Sequence, residues 1–141
     1  MIFLDQNFPQ DQRQLLRSWR IRVRHFGYEI GRRGTRDEGI IPFLHDQPQS
    51  SWFTLDMGSY RPQLRHSNYC LVAMDVRDEE AAIFVRRLVR QQQFRTQRKR
   101  TGTVVRLSRV GIRYWRLGSE AEQSIEWSDQ GAGRQRTPSS R

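Results

Sequence analysis

Tyr69-Cys70-Leu71-Val72-Ala73-Met74-Asp75 is the stretch on which the fold turns. Nothing polar interrupts it before the closing carboxylate, so it reads as a buried strand. Residues 78–92 follow with Ala81, Phe84, Val85, Leu88 and Val89 at helical spacing and Arg86, Arg87 and Arg90 outside the stripe, which predicts an amphipathic helix. Strand then helix is the repeating unit of a parallel sheet.

The same unit recurs upstream. Ile2-Phe3-Leu4 is a short buried strand ending at Asp5-Gln6-Asn7, and a helix capped by Asp11 runs to about Arg20, with Leu15, Leu16 and Trp19 on one side. Residues 21–26 alternate apolar side chains with arginine and read as a second strand; residues 27–34, with three glycines, are a loop. Thr35-Arg36-Asp37-Glu38 fits a capping box and starts a helix carrying Ile40, Ile41, Phe43 and Leu44, kept short or kinked by Gly39 and Pro42. Residues 52–55 form a strand ending at Asp56, with a turn at Met57-Gly58-Ser59. Downstream come a basic loop at 95–100 and a hairpin of 103–107 with 111–116. A single domain over residues 1–127 and a disordered basic tail at 128–141 follow from this pattern.

The chain carries 25 basic and 15 acidic residues, a formal net charge of +10, and nearly all the cations are arginine. Arginine's planar fork suits phosphate oxygens, so a polyanion is the favoured partner. The plainer reading is an arginine-rich solvated surface. Candidate RNA contacts are Arg32, Arg33, Arg36, Arg95, Arg98, Lys99 and Arg100, with Phe94 as a stacking platform. Cys70 is the single cysteine, which excludes an intrachain disulfide and a cysteine-based zinc site. His25, His45 and His66 show no metal spacing and read as structural or surface residues, His66 the exception by its place before a strand leading to Asp75. No leader peptide and no membrane span is expected, which points to a cytoplasmic protein.

Three strands end in an aspartate: Leu4-Asp5, Leu55-Asp56 and Met74-Asp75. In a parallel sheet those carboxylates gather at one edge, outside the carboxyl ends of the strands. Such a cluster suits a hard divalent cation with oxygen ligands, and Asp37 or Glu38 would complete it. Each residue also has a duller role: Asp5 an Asx turn, Glu38 the reciprocal half of a capping box, Asp37 a charge at a helix start, Asp78 an N-cap.

The order Leu4-Asp5-Gln6-Asn7-Phe8-Pro9, then Gly34-Thr35-Arg36-Asp37-Glu38, then Phe53-Thr54-Leu55-Asp56, then His66 before an apolar strand, resembles the PIN-like domains of predicted toxin–antitoxin operons. The likeness covers roughly residues 1–115. It implies a three-layer α/β/α fold with a mainly parallel sheet, Mg²⁺ or Mn²⁺ dependence, endoribonuclease activity and control by a small antitoxin protein. By matching positions it implies Asp5, Glu38 and Asp56 as catalytic residues, Asp5, Asp37, Glu38 and Asp56 as metal ligands, and Asn7 beside them. Where that family carries a second aspartate after Thr-x-Asp, this chain has Gly58, and Asp75 is the candidate replacement. A missing acid weakens metal binding, alters metal preference, or leaves a domain that binds RNA without cutting it. A homodimer, through an exposed hairpin edge, is a further expectation.

Overall fold

The computed structural model describes residues 1–34 and 37–127, with Asp37 and Glu38 placed as helix backbone only. Seven strands form one sheet: β1 (Ile2–Leu4), β2 (Val23–His25), β3 (Ser50–Thr54), β4 (Tyr69–Asp75), β5 (Thr103–Ser108), β6 (Gly111–Arg116) and β7 (Gln123–Glu126). They lie in the order β2-β1-β3-β4-β5-β6-β7. Pairing is parallel from β2 to β5 and antiparallel from β5 to β7.

Period-two alternation sorts the strand side chains onto two faces. Ile2, Leu4, Phe53, Val72, Met74 and Val105 meet helices α1 (Gln10–Ser18) and α3 (Ala81–Arg90). Phe3, Trp52, Leu71 and Val104 meet Ile40 and Leu44 of α2 (Asp37–His45) on the other face. The expected mainly parallel, layered α/β arrangement with a C-terminal ribbon is therefore the one observed.

From β1 the chain moves through α1 to β2 at the sheet edge, then returns over β1 through α2 to β3. The direction of travel reverses between β1 and β3, and open α/β sheets hold ligands outside the carboxyl ends of the strands at such a switch point.

Several boundaries differ from expectation for local reasons. Helix α1 takes Pro9, not Asp11, at its N-cap position, because Pro9 is already extended and its carbonyl accepts from Gln12 and Arg13 at 3.1 and 3.0 Å. Asp11 instead sits in the first turn, where its charge complements the helix dipole. Buried Gln12 accepts from the Ala82 N–H at 2.9 Å and ties α1 to the start of α3. The expected helix at 78–92 begins as a 3₁₀ turn at Asp78–Glu80 and becomes α-helical only from Ala81.

The basic loop at 95–100 contains a short helix, α4 (Gln97–Arg100), whose N-cap Thr96 accepts from the Lys99 N–H. The seventh strand, β7, was not expected. Trp127 just beyond it donates to the Ser108 carbonyl at 2.6 Å and packs near Phe84 of α3, which anchors this edge.

At the opposite edge, Glu29 covers the backbone of β2. One carboxylate oxygen accepts from the His25 N–H at 2.8 Å and the other pairs with Arg17. The β2 edge therefore has its outward N–H at His25 occupied by the chain's own side chain.

Candidate functional site

Asp5 is the first residue past β1, and its N–H donates to the Phe53 carbonyl at 3.0 Å, extending the β1–β3 ladder by one step. That pairing places Asp5 beside Thr54, whose side chain is 1% exposed. The Thr54 hydroxyl donates to Asp5 Oδ2 at 2.6 Å and accepts from the Asp56 N–H at 3.0 Å. Asp56 in turn caps the 3₁₀ turn Met57–Ser59, its Oδ1 accepting from the Gly58 N–H at 2.9 Å. One buried hydroxyl thus joins the Asp5 carboxylate to the backbone of Asp56, and each carboxylate keeps an oxygen outside the hydrogen bonds of the described residues.

They border a cavity of about 450 Å³ on the α2 side of the sheet. Asn7, Ser59 and Arg61 add polar groups to its wall, Ile40 and Ile41 enter from α2, and Trp52, Leu64 and Leu71 make it apolar below. Gln6 lines it as well, and its side-chain oxygen accepts from the Gly34 N–H at 2.6 Å, which holds the 27–34 loop alongside.

The sequence-derived candidates divide clearly. Asp5, Asp56 and Asn7 come together at the cavity. Asp37 and Glu38 begin α2, the helix that supplies Ile40 and Ile41, but their side chains lie outside the described structure, as do Arg36 and the 128–141 tail.

Asp75 is a correction. It falls on the same sheet face, but Arg106 on neighbouring β5 takes its Oδ2 at 2.8 Å, and it does not line the cavity. Among the described residues no three His, Cys, Asp or Glu side chains come together. The oxygen donors lining the cavity are two carboxylates, the hydroxyls of Thr54 and Ser59 and the amides of Gln6 and Asn7, all of them hard. Mg²⁺ is commonly held by one or two carboxylates together with substrate phosphate and water. Among the described residues this donor set fits such shared binding and falls short of an all-protein cage.

Arg100 is a second correction. It is 6% exposed and donates to Ser51 Oγ at 2.9 Å and to the Phe94 carbonyl at 2.8 Å, so it organises the core instead of facing RNA. Burial lowers its pKa, yet a guanidinium has ample margin to stay charged. Phe94 is wholly buried against Tyr114 and offers no stacking surface.

Arg95, Arg98 and Lys99 are exposed around α4, which packs on the amino end of β3 through a Ser51–Gln97 hydrogen bond. That end is opposite the cavity. Arg32 and Arg33 belong to the loop fastened to Gln6, on the cavity side, with Arg33 over the Tyr28 ring at 4.5 Å.

Sequence reasoning missed Arg61, whose signal was its position five residues past Asp56 across a Gly-Ser turn. It also missed a basic groove of about 390 Å³ where Arg17, Arg20, Arg22 and Arg24 flank Met1, with Glu29 among them.

Compared with protein-family models, curated proteins and solved structures, the chain gives no match. The site is read from its own geometry. No helix among the described residues is long and apolar enough to cross a membrane.

Two histidines lie apart from the cavity, near the amino ends of the strands: His45 and His66, with ring centres 4.1 Å apart and His66 stacked on Tyr69. His25 is the one next to the site. It is wholly buried, and neither ring nitrogen makes a well-formed hydrogen bond with a described residue. Burial lowers its pKa and nearby Arg13 adds to that, while the backbone of Gln6 and Asp5 acts in the opposite direction. Burial likewise pushes the Cys70 thiol up to about 11, which keeps it protonated and unreactive.

Proposed function

We propose that this chain is a metal-dependent endoribonuclease that hydrolyses RNA phosphodiester bonds, acting as the toxin of a toxin–antitoxin pair. The observation that carries the reading is the Asp5–Thr54–Asp56 chain of hydrogen bonds at the cavity, at the point where the strand order reverses. The net charge of +10 and the resemblance to PIN-like domains support it.

Asp5 and Asp56 would hold Mg²⁺ or Mn²⁺ jointly with the scissile phosphate, and Glu38 at the start of α2 is the third acid that the resemblance implies. When bound, the cation lowers the pKa of a coordinated water and neutralises charge developing on the phosphate. The chain's own residues do the positioning. Thr54 fixes the Asp5 carboxylate, the Gly58 N–H fixes one oxygen of Asp56, and Arg61 on the cavity wall faces the incoming phosphate charge. Arg32 and Arg33, on the loop joined to Gln6, extend the cationic surface on the same side.

The test is cleavage of a mixed, end-labelled RNA by the purified protein with Mg²⁺, with Mn²⁺ and with EDTA, beside Asp5→Asn and Asp56→Asn. Metal-dependent cleavage lost in both folded variants is the expected result. Undiminished cleavage in both would refute it.

One observation favours a second reading, a nucleic-acid-binding module that does not cut. Gly58 occupies the position where PIN-like domains carry an acid, and here its N–H engages Asp56 Oδ1. In that case RNA affinity would fall steeply with salt as phosphate contacts release counterions, and added metal would change it little.

A further inference from the structure

Metal and phosphate account for only the polar part of the cavity. Below Asp5 and Asp56 its walls are Ile40, Ile41 and Leu64, and Trp52 and Leu71, 3% and 2% exposed, only close its floor. A hydrated cation or a phosphate gains nothing from such a lining. Sites for organic ligands are usually cavities of roughly 300–1,000 Å³ in which apolar walls meet placed polar groups, and this one, polar at one end and apolar at the other, measures about 450 Å³.

We infer that the cavity is a base-binding subsite, which takes one unpaired nucleobase of single-stranded RNA and so sets the nucleotide beside the scissile phosphate. The inference rests on the ribonuclease reading only for the position of that phosphate. A nucleobase is flat and apolar on its faces and polar at its edge, which matches the division of the walls. Trp52 is held edge-on by Phe26, with ring centres 5.3 Å apart at 73°, so the indole is fixed before any ligand arrives. At the polar end, the Asn7 amide offers both a donor and an acceptor to a base edge, Ser59 adds a hydroxyl, and Arg61 adds a cation for the adjoining phosphate. A base within a duplex cannot enter such a cavity without leaving its stack, so the substrate class is a single strand, loop or bulge.

The experiment titrates the full chain, in EDTA, with the four nucleoside 5′-monophosphates and with ribose 5-phosphate as the base-free control, by equilibrium dialysis. Two variants fill the cavity from opposite walls, Ile41→Trp and Leu64→Trp, and circular dichroism in the near and far ultraviolet confirms their fold. At least one nucleotide is expected to bind about tenfold or more tightly than ribose 5-phosphate, the gain expected of one stacked base. Both filled variants are expected to lose that preference.

Equal binding of nucleotide and ribose 5-phosphate would overturn the inference. So would no nucleotide binding at millimolar concentration, or an unchanged preference in both folded variants. The two readings fail separately. Base-dependent binding without cleavage under any metal keeps the subsite and removes the nuclease. Cleavage lost in Asp5→Asn and Asp56→Asn, but without nucleotide binding, does the reverse.

Discussion

Thr54→Val isolates the hydroxyl that joins the Asp5 carboxylate to the Asp56 backbone. The side chain is wholly enclosed, and valine keeps its shape while removing one donor and one acceptor. The donor serves Asp5 Oδ2 at 2.6 Å, a charge-assisted hydrogen bond of the kind worth about 1.5–3 kcal/mol. The acceptor serves the N–H of Asp56, an exposed residue for which water is a ready substitute, so this loss adds little. A destabilisation of about 2 kcal/mol is expected, which for a domain of this size lowers Tm by roughly 5–10 °C. Thr54→Ser keeps the hydroxyl and removes one methyl group, costing about 1 kcal/mol. Urea unfolding of both variants, with and without Asp5→Ala, completes a double-mutant cycle. If Thr54→Val alone falls within about 0.5 kcal/mol of the parent, or if the cycle shows no coupling to Asp5, the hydroxyl does not hold that carboxylate.

Gly58→Asp returns an acid to the turn at a position with ordinary backbone torsions, where a Cβ would stand 3.2 Å from Asp56 Oδ1 and need a small shift. Tighter Mn²⁺ binding by calorimetry is expected, and equal affinity in variant and parent would count against the two-acid site. Arg100→Met should destabilise by about 1–3 kcal/mol, because the Phe94 carbonyl loses its donor inside the core, while RNA affinity at fixed salt stays level. A large affinity loss in folded Arg100→Met would reverse its assignment to the core. His25 has a folded-state pKa below its ordinary value of 6.5, so the unfolded chain binds the proton more readily. Stability is therefore full above about pH 6.5 and declines as pH falls toward the folded-state pKa. Urea midpoints at pH 7.5 and 5.0 should converge in His25→Phe, and an unaltered pH dependence would show that the loss comes from other groups.

The parallel core was legible because its signals are local. The 69–75 run, the stripe of α3 and the alternating hairpin each announce their own geometry, and three strands ending in aspartate follow from reading them side by side. Asp5 and Asp56 could be placed together once β1 and β3 were taken as neighbours. Other features depend on pairings that sequence spacing does not encode. Asp75 looks equivalent to Asp56 until the register of β4 with β5 sets Arg106 beside it. β7 carries Ile125 as its sole large apolar residue, too little for a periodic signal, and owes its place to pairing with β6. Arg100 sits in a basic run that looks solvated, and only the packing of α4 against β3 shows which of its charges turns inward.

The place of β1 between two later strands has a consequence for folding order. This three-residue strand lies between β2 and β3, and its partners begin about 20 and 50 residues later in the chain. Contacts so distant in sequence must meet the loop-closure entropy before they contribute. Asp5 and Asp56 are therefore apart in every partly folded form that lacks the β1–β3 ladder. Under the proposed function, a nascent or locally opened chain is harmless to the RNA around it, and nuclease activity reports a domain that has finished folding.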